Sequence, residues 1–215
     1  MSLSLQTHLL LAAGWIFWCV LHSLLISRWW ITRMQRVLGE RMAYYRFVYV
    51  VVSVVTIVPV LWLQWTIDSS LLWRWELPWS VFQWLGIAVS ALLFYLGAQQ
   101  YDQKFFFGVR QIQDHRGKRT SEFSGFSASG IHTVIRHPYY AAGIVLLVFW
   151  GNLTPASLVM KSVGILYFIA GALLEERKLL AEFGREYRSY QQAVPMFIPR
   201  SLRSLITGTG RRGKE

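Results

Sequence analysis

Residues 136–176 read RHPYYAAGIVLLVFWGNLTPASLVMKSVGILYFIAGALLEE, and this stretch decides the fold. Two apolar runs, 139–151 and 156–174, are separated by a short polar turn. Arg136-His137-Pro138 stand in front of them and Glu175-Glu176 behind. The second run is about long enough to cross a hydrocarbon core of ~30 Å, which takes ~20 residues. The first has 13 residues. It either begins earlier, near Ile131, or forms the shorter arm of a tilted hairpin. Ionisable groups that close such a hairpin are costly at a membrane face, and sites of this kind are kept for binding.

Three more apolar runs lie upstream, at 8–27, 47–66 and 79–98. With 54% hydrophobic and only 15% charged residues, the chain falls outside the range of soluble domains. The reading is an all-α integral membrane protein of about five transmembrane helices. The last two form a helical hairpin, followed by a cytoplasmic amphipathic C-terminal helix. Residues 1–200 form one domain, with three spans in 1–98 and a cofactor-binding half in 99–200, and 201–215 is a basic tail. The first run has no basic residue before it and no small-residue cleavage site after it, so it reads as a retained helix. The single cysteine, Cys19, lies inside that run and excludes an intrachain disulfide.

A net charge of +11 invites a nucleic-acid reading, but its distribution excludes one. Five Arg fall in 28–46, six Lys or Arg in 99–137 and nine in 175–215, while the intervening connections hold Arg74 and Lys161. This is the positive-inside alternation. It predicts an inner-membrane protein with its N-terminus outside and C-terminus cytoplasmic. Trp62, Trp65, Trp73, Trp75, Trp79 and Trp150 then form an outer aromatic belt, and Trp29 and Trp30 lie at the inner face. The partner implied is the lipid bilayer, not nucleic acid.

The longest connection, 99–135, contains a Gly/Ser-rich stretch at 121–130; long loops in compact folds are usually functional. After Glu176, Leu179, Leu180, Phe183, Tyr187 and Tyr190 share one helical face, flanked by Arg177, Lys178, Arg185 and Arg188, until Pro195 and Pro199 end the helix.

Each candidate has a plain reading beside a functional one. Glu175 and Glu176 are either a fringe neutralised by Arg177 and Lys178, or acceptors for a ligand's ammonium or hydroxyl groups. Pro138 suits a first helical turn, where its missing N–H is not needed; that turn together with Arg136 would suit an anion. His137 is a helix-entry residue or a proton donor. Tyr140, Tyr187 and Tyr190 are interfacial aromatics or stacking surfaces for an adenine or a sulfonium. His22 and Ser23 either join helices or face a substrate. Asp102, near Lys104 and Arg110, is a salt-bridged rim residue or lines an acceptor entry. No metal-ligand spacing, phosphate loop or Ser–His–Asp pattern stands out.

The series Gly130…Arg136-His137-Pro138-Tyr139-Tyr140, then Glu175-Glu176…Leu179…Phe183-Gly184…Tyr187…Tyr190…Val194-Pro195…Ile198-Pro199 resembles the isoprenylcysteine carboxyl methyltransferase superfamily of membrane methyltransferases. His22-Ser23, Tyr44-Tyr45-Arg46…Tyr49 and Phe107-Gly108-Val109-Arg110-Gln111 narrow the likeness. They resemble the bacterial methanethiol S-methyltransferases and the related nitric-oxide-reductase-associated membrane proteins. The chain departs from the pattern at Ala142, followed by Gly143, and at His132, where an aromatic is usual.

The resemblance implies S-adenosylmethionine as cofactor, held by Arg136, His137, Pro138, Tyr140, Glu175, Glu176, Tyr187 and Tyr190. Arg136, Glu176 and Arg46 would be catalytic, and His22, Asp102 and Arg110 would bind substrate. Methyl transfer needs fixed geometry and exclusion of water. A cation such as Arg136, Arg46 or Arg110 would favour the thiolate of an acceptor. The expected acceptor is a small thiol, with a lipophilic carboxylate such as a prenylcysteine second. Two further readings stand: a nicotinamide-dependent membrane reductase, and a non-catalytic accessory protein of an oxidoreductase system.

Overall fold

The structure, a computed structural model, describes residues 3–117 and 128–200. Most of the 121–130 stretch and the 201–215 tail lie outside the described residues. Within them the chain forms α1 (Leu3–Ile26), α2 (Arg28–Leu38), α3 (Tyr45–Thr66), α4 (Trp79–Ala98), α5 (Gln103–Phe106), α6 (Val109–Arg116), α7 (Pro138–Phe149) and α8 (Pro155–Ala193). Trp73 and Leu153 make an isolated β-bridge; among the described residues no strand is formed. Helices α1, α3, α4 and α8 are long and apolar enough to cross a membrane. A bilayer leaves no partner for bare amides, so apolar segments of this length satisfy their backbone internally as helices. Large apolar side chains point outward, with Trp65 90% and Phe17 68% exposed, a surface that suits lipid and not water. The molecule is a multi-pass helical membrane protein.

The chain divides into two compact units. The first comprises Met1–Arg74, Tyr101–Phe123 and Asn152–Val163; the second comprises Trp75–Gln100, Ser124–Gly151 and Gly164–Glu215. In the first, α1 and α3 pack through Leu11, Trp15 and Val60, with Ala156 of α8 against them. Polar groups join the helices from within. Trp15 Nε1 donates to Gln64 Oε1 at 2.8 Å, and Trp18 Nε1 donates to the Ser53 carbonyl at 3.1 Å. Such bonds hold helices together where lipid offers no competing hydrophobic drive. Between α1 and α3 the chain turns at Ser27, whose Oγ caps α2 by accepting from the Trp30 amide, and a 3-10 turn, Gly39–Tyr44, leads into α3.

In the second unit, α7 lies antiparallel against α4. A side chain added at Gly97 would meet the Tyr139 ring, and one at Gly86 would meet Phe149; between them Ser90 Oγ donates to the Ala142 carbonyl at 2.8 Å. Small residues at 86, 90 and 97 let the backbones approach, as is usual for membrane helices. Helix α7 begins at Pro138, preceded by a 3-10 turn at Gly130–Thr133, so the run does not start near Ile131. Its 12 residues span only ~18 Å at ~1.5 Å per residue. It is the short arm, completed at its far end where Trp75 Nε1 donates to the Gly151 carbonyl at 2.9 Å.

The helix expected after Glu176 begins later, after Gly184. The run Pro155–Ala193 consists of two helices that meet at Gly184, where φ is 54° and ψ −118°. A positive φ with that ψ is open to glycine and closed to residues with a Cβ, so Gly184 sets where the run bends.

Candidate functional site

Residues before a proline are driven to extended backbone, so Arg136 and His137 enter α7 with amides that point away from the helix. Their partners are carbonyls of the C-terminal segment, where Pro195 cannot continue α8. Arg136 N donates to Pro195 O at 2.9 Å, and His137 N donates to Met196 O at 3.1 Å. The Arg136 side chain fixes the same segment. Its Nε donates to Glu176 Oε1 at 2.6 Å, and Nη1 donates to the carbonyls of Gln191, at 2.9 Å, and Val194. Glu176 also receives His137 Nε2 at 3.2 Å on Oε1 and Gln191 Nε2 at 2.9 Å on Oε2. The Arg136 and Glu176 side chains are only 10% and 12% exposed. One buried ion pair therefore ties the α7 entry, the middle of α8 and residues 191–196 into a knot.

Glu175 stands differently. Its side chain is 40% exposed, with His137 Nδ1 at 3.8 Å, too long for a hydrogen bond. Tyr140 packs edge-on to His137 at 5.5 Å and lies over Gly171. Tyr190 donates to the His132 carbonyl at 2.6 Å and packs 5.7 Å from Tyr187, which is 1% exposed. Pro138 is fully buried at the first turn of α7. In this conformation Tyr187 is an interior residue of the knot rather than an open stacking surface. Arg177 and Lys178, the expected neutralisers of the glutamate pair, are exposed; the charge on Glu176 is met by Arg136 instead.

Burial pushes the His137 imidazole below the ordinary histidine range, against the opposing pull of Glu175 and Glu176. Burial lowers His132 as well, opposed by its hydrogen bond to the Arg136 carbonyl. A histidine whose folded pKa is depressed binds fewer protons folded than unfolded. Stability from this source is therefore full above the unfolded value of about 6.5 and falls as pH drops through it toward the folded value. Thermal unfolding in detergent should show a midpoint that declines from about pH 7 to about pH 5, and His137→Gln should flatten that decline. A midpoint independent of pH in this window would contradict the assignment.

The remaining candidates lie in the first unit. Glycine at 108, with φ 81°, lets its loop approach the start of α3, where a side chain would strike Arg46 and Phe47. Arg46 Nε donates to the Phe106 carbonyl at 3.0 Å, and its guanidinium lies 5.5 Å from the Tyr49 ring centre and 5.4 Å from that of Phe106. His22 is joined to α3: Tyr49 Oη lies 2.7 Å from Nε2 and Ser53 Oγ lies 3.0 Å from Nδ1, while Ser53 Oγ donates to the Tyr49 carbonyl. Tyr49 donating to Nε2, with Nδ1–H directed to Ser53, satisfies every group. Asp102 caps α5 by accepting from the Phe105 amide and pairs with Arg110. The hydrogen bond from Arg110 holds the Asp102 carboxyl below its usual range. Gln191 and the Val194 carbonyl were not foreseen, because nothing in the local pattern links them to position 136. Ser53 was legible, as it falls one helical turn after Tyr49.

Helices long and apolar enough to cross a membrane, with a buried charged knot where α7 begins against α8, define an integral membrane protein with a polar site. The chain belongs to the NnrU protein family, whose pattern matches residues 10–188. It is similar to the methanethiol S-methyltransferase of Pseudomonas sp. (strain GM41(2012)), 30% identical over 181 residues, or 81% of this chain and 65% of the relative. That of Pseudomonas deceptionensis is 34% identical over 167 residues, covering 74% and 60%. That of Mycobacterium tuberculosis (strain ATCC 25618 / H37Rv) is 31% identical over 182 residues, covering 80% and 68%. The chain thus spans 65% and 60% of the length of the two Pseudomonas relatives. No solved structure matches it.

Proposed function

We propose that this protein is an integral membrane methyltransferase that uses S-adenosylmethionine to methylate a small thiol. The observation that carries the reading is the charge arithmetic of the knot. With His137 neutral, Arg136 is matched by Glu176, and Glu175 is left as an outward carboxylate. That donor set fits a cationic ligand, and S-adenosylmethionine supplies a methyl group on a sulfonium beside an ammonium. Glu175 would hold the cationic part, while Arg136, Glu176 and His137 keep the α7 entry and residues 191–196 in register. On the acceptor side, Arg46 is the fixed cation that would favour a thiolate, with His22 as its polar companion. Asp102 and Arg110 neutralise each other and fit a supporting role. The printed names of the relatives point to methanethiol as the acceptor to try first, before a prenylcysteine-type carboxylate.

For topology, we infer five crossings with the basic segments on the cytoplasmic side of the inner membrane. The support is that α7 spans the height between Gly97 and Gly86 of α4 and its end reaches Trp75, the residue group before α4. The reaction is tested with purified protein in detergent or liposomes, labelled S-adenosylmethionine and methanethiol. The expected result is labelled dimethyl sulfide. Absence of transfer to any thiol or lipid, with no thermal shift on adding the cofactor, would overturn the reading. Stabilisation by a reduced nicotinamide cofactor instead would favour the reductase.

A further inference from the structure

The segment from Ser27 to Tyr44 leaves α1 and returns into α3, both long enough to cross a membrane, so it is held at one membrane face. Its helix α2 is two-sided. Trp30, Ile31, Met34, Val37 and Leu38 share one arc, and Arg28, Thr32, Arg33 and Arg36 share the other. Trp29 falls inside the polar arc, between Arg36 and Arg33, and is 68% exposed. A helix of this pattern lies in the interfacial plane.

Residues 27–46 carry five arginines and a single acid, Glu40. Among the described residues, the guanidinium groups of Arg33, Arg36 and Arg41 have no hydrogen-bond or ion-pair partner. Of these, Arg41 lines an open cavity of about 440 Å³, together with Leu38, Tyr44, Tyr45 and Val48. It is apolar apart from Arg41 and the two phenols. Tyr45 Oη is already committed to the Leu25 carbonyl, and Tyr44 packs edge-on to His115.

We propose that this groove is a binding site for an anionic phospholipid. The headgroup phosphate sits on Arg41, and the upper acyl chain lies along Leu38, Val48 and the phenol rings. Charge complementarity selects this occupant. An arginine with no ion-pair partner among the described residues, at the rim of an apolar groove and in an arginine-rich segment that enters a spanning helix, matches a ligand that is anionic at one end and aliphatic at the other. The site is separate from the knot at Arg136 and does not depend on the activity proposed above.

The test is native mass spectrometry of the purified full-length protein with phosphatidylglycerol and phosphatidylcholine of the same acyl chains. The wild type should retain phosphatidylglycerol preferentially. Arg41→Gln should lower that preference about fivefold, the equivalent of about 1 kcal/mol for one surface cation. Val48→Trp, which fills the groove and leaves the charge, should lower retention of phosphatidylglycerol. Both positions are exposed, so neither change disturbs the packed interior, and Arg188→Gln in the other unit should alter nothing. Equal retention of the two lipids, an unchanged preference in Arg41→Gln, or displacement by millimolar inorganic phosphate would overturn the proposal.

Discussion

Arg136→Ala should destabilise the protein by about 3–5 kcal/mol, the usual cost of removing one partner from a buried ion pair. Three acceptors lose their donor at once: Glu176 Oε1 and the carbonyls of Gln191 and Val194. His137 and Gln191 still reach the carboxylate, so Glu176 is not wholly bare, but its charge is uncompensated. Arg136→Lys should recover only part of the loss, because a single ammonium cannot reproduce the guanidinium fork. Glu176→Gln should cost less than Arg136→Ala, since the arginine keeps its two carbonyls. The measurement is thermal or denaturant unfolding in detergent for the single variants and the double variant. A coupling near zero between positions 136 and 176 would show that the pair contributes geometry without energy. A loss below about 1 kcal/mol in Arg136→Ala would reject the knot as the fastening of the C-terminal segment.

Glu175→Gln should leave stability nearly unchanged and weaken S-adenosylmethionine binding by roughly 10- to 100-fold. The range corresponds to the ~1.5–3 kcal/mol of a hydrogen bond to a charged group. The contrast with Glu176 separates the two roles. Glu175 is part-exposed and fastens nothing within hydrogen-bond distance, whereas Glu176 is buried and satisfied on both oxygens. Titration calorimetry with the cofactor reads the first effect, and the unfolding midpoint reads the second. Binding by Glu175→Gln within twofold of wild type would move the cationic contact elsewhere. A large fall in its midpoint would make Glu175 another fastening.

The spans were legible in the sequence because lipid imposes a simple rule on length and polarity. The apolar run 79–98 coincides with α4 and 47–66 starts two residues inside α3, while 8–27 and 156–174 fall on α1, which begins five residues earlier, and on α8, which extends nineteen residues further. What the pattern did not show was α2 as a helix of its own; its six residues of 3-10 turn and the glycine at 39 are set by the short path back to α3. Nor did it show that the break between α8 and the C-terminal helix falls at Gly184 and not after Glu176. A single glycine backbone angle decides that, and the apolar period reads the same on either side. At the site, the motifs at 136 and 175 were visible as chemistry, yet their pairing was not. Local sequence offered Arg177 and Lys178 as the nearest cations for the glutamates. Tertiary packing brought Arg136 to Glu176 across 40 positions, a choice that depends on which face of α8 turns inward. Tyr187 looked like an accessible ring by helical position and became interior because residues 191–196 fold back over the α7 entry.

The fastening at Arg136 also orders events during synthesis. Its side-chain partners lie at 176, 191 and 194, and the amides of 136 and 137 reach carbonyls at 195 and 196. While the earlier helices are entering the bilayer, this arginine has none of them, and the α7 entry has no carbonyls to receive its amides. The α7 entry is therefore fastened last, by the piece of chain made last among those it needs. Loss of residues 191–196 would leave the amides of Arg136 and His137 and the Arg136 guanidinium without the carbonyls that receive them.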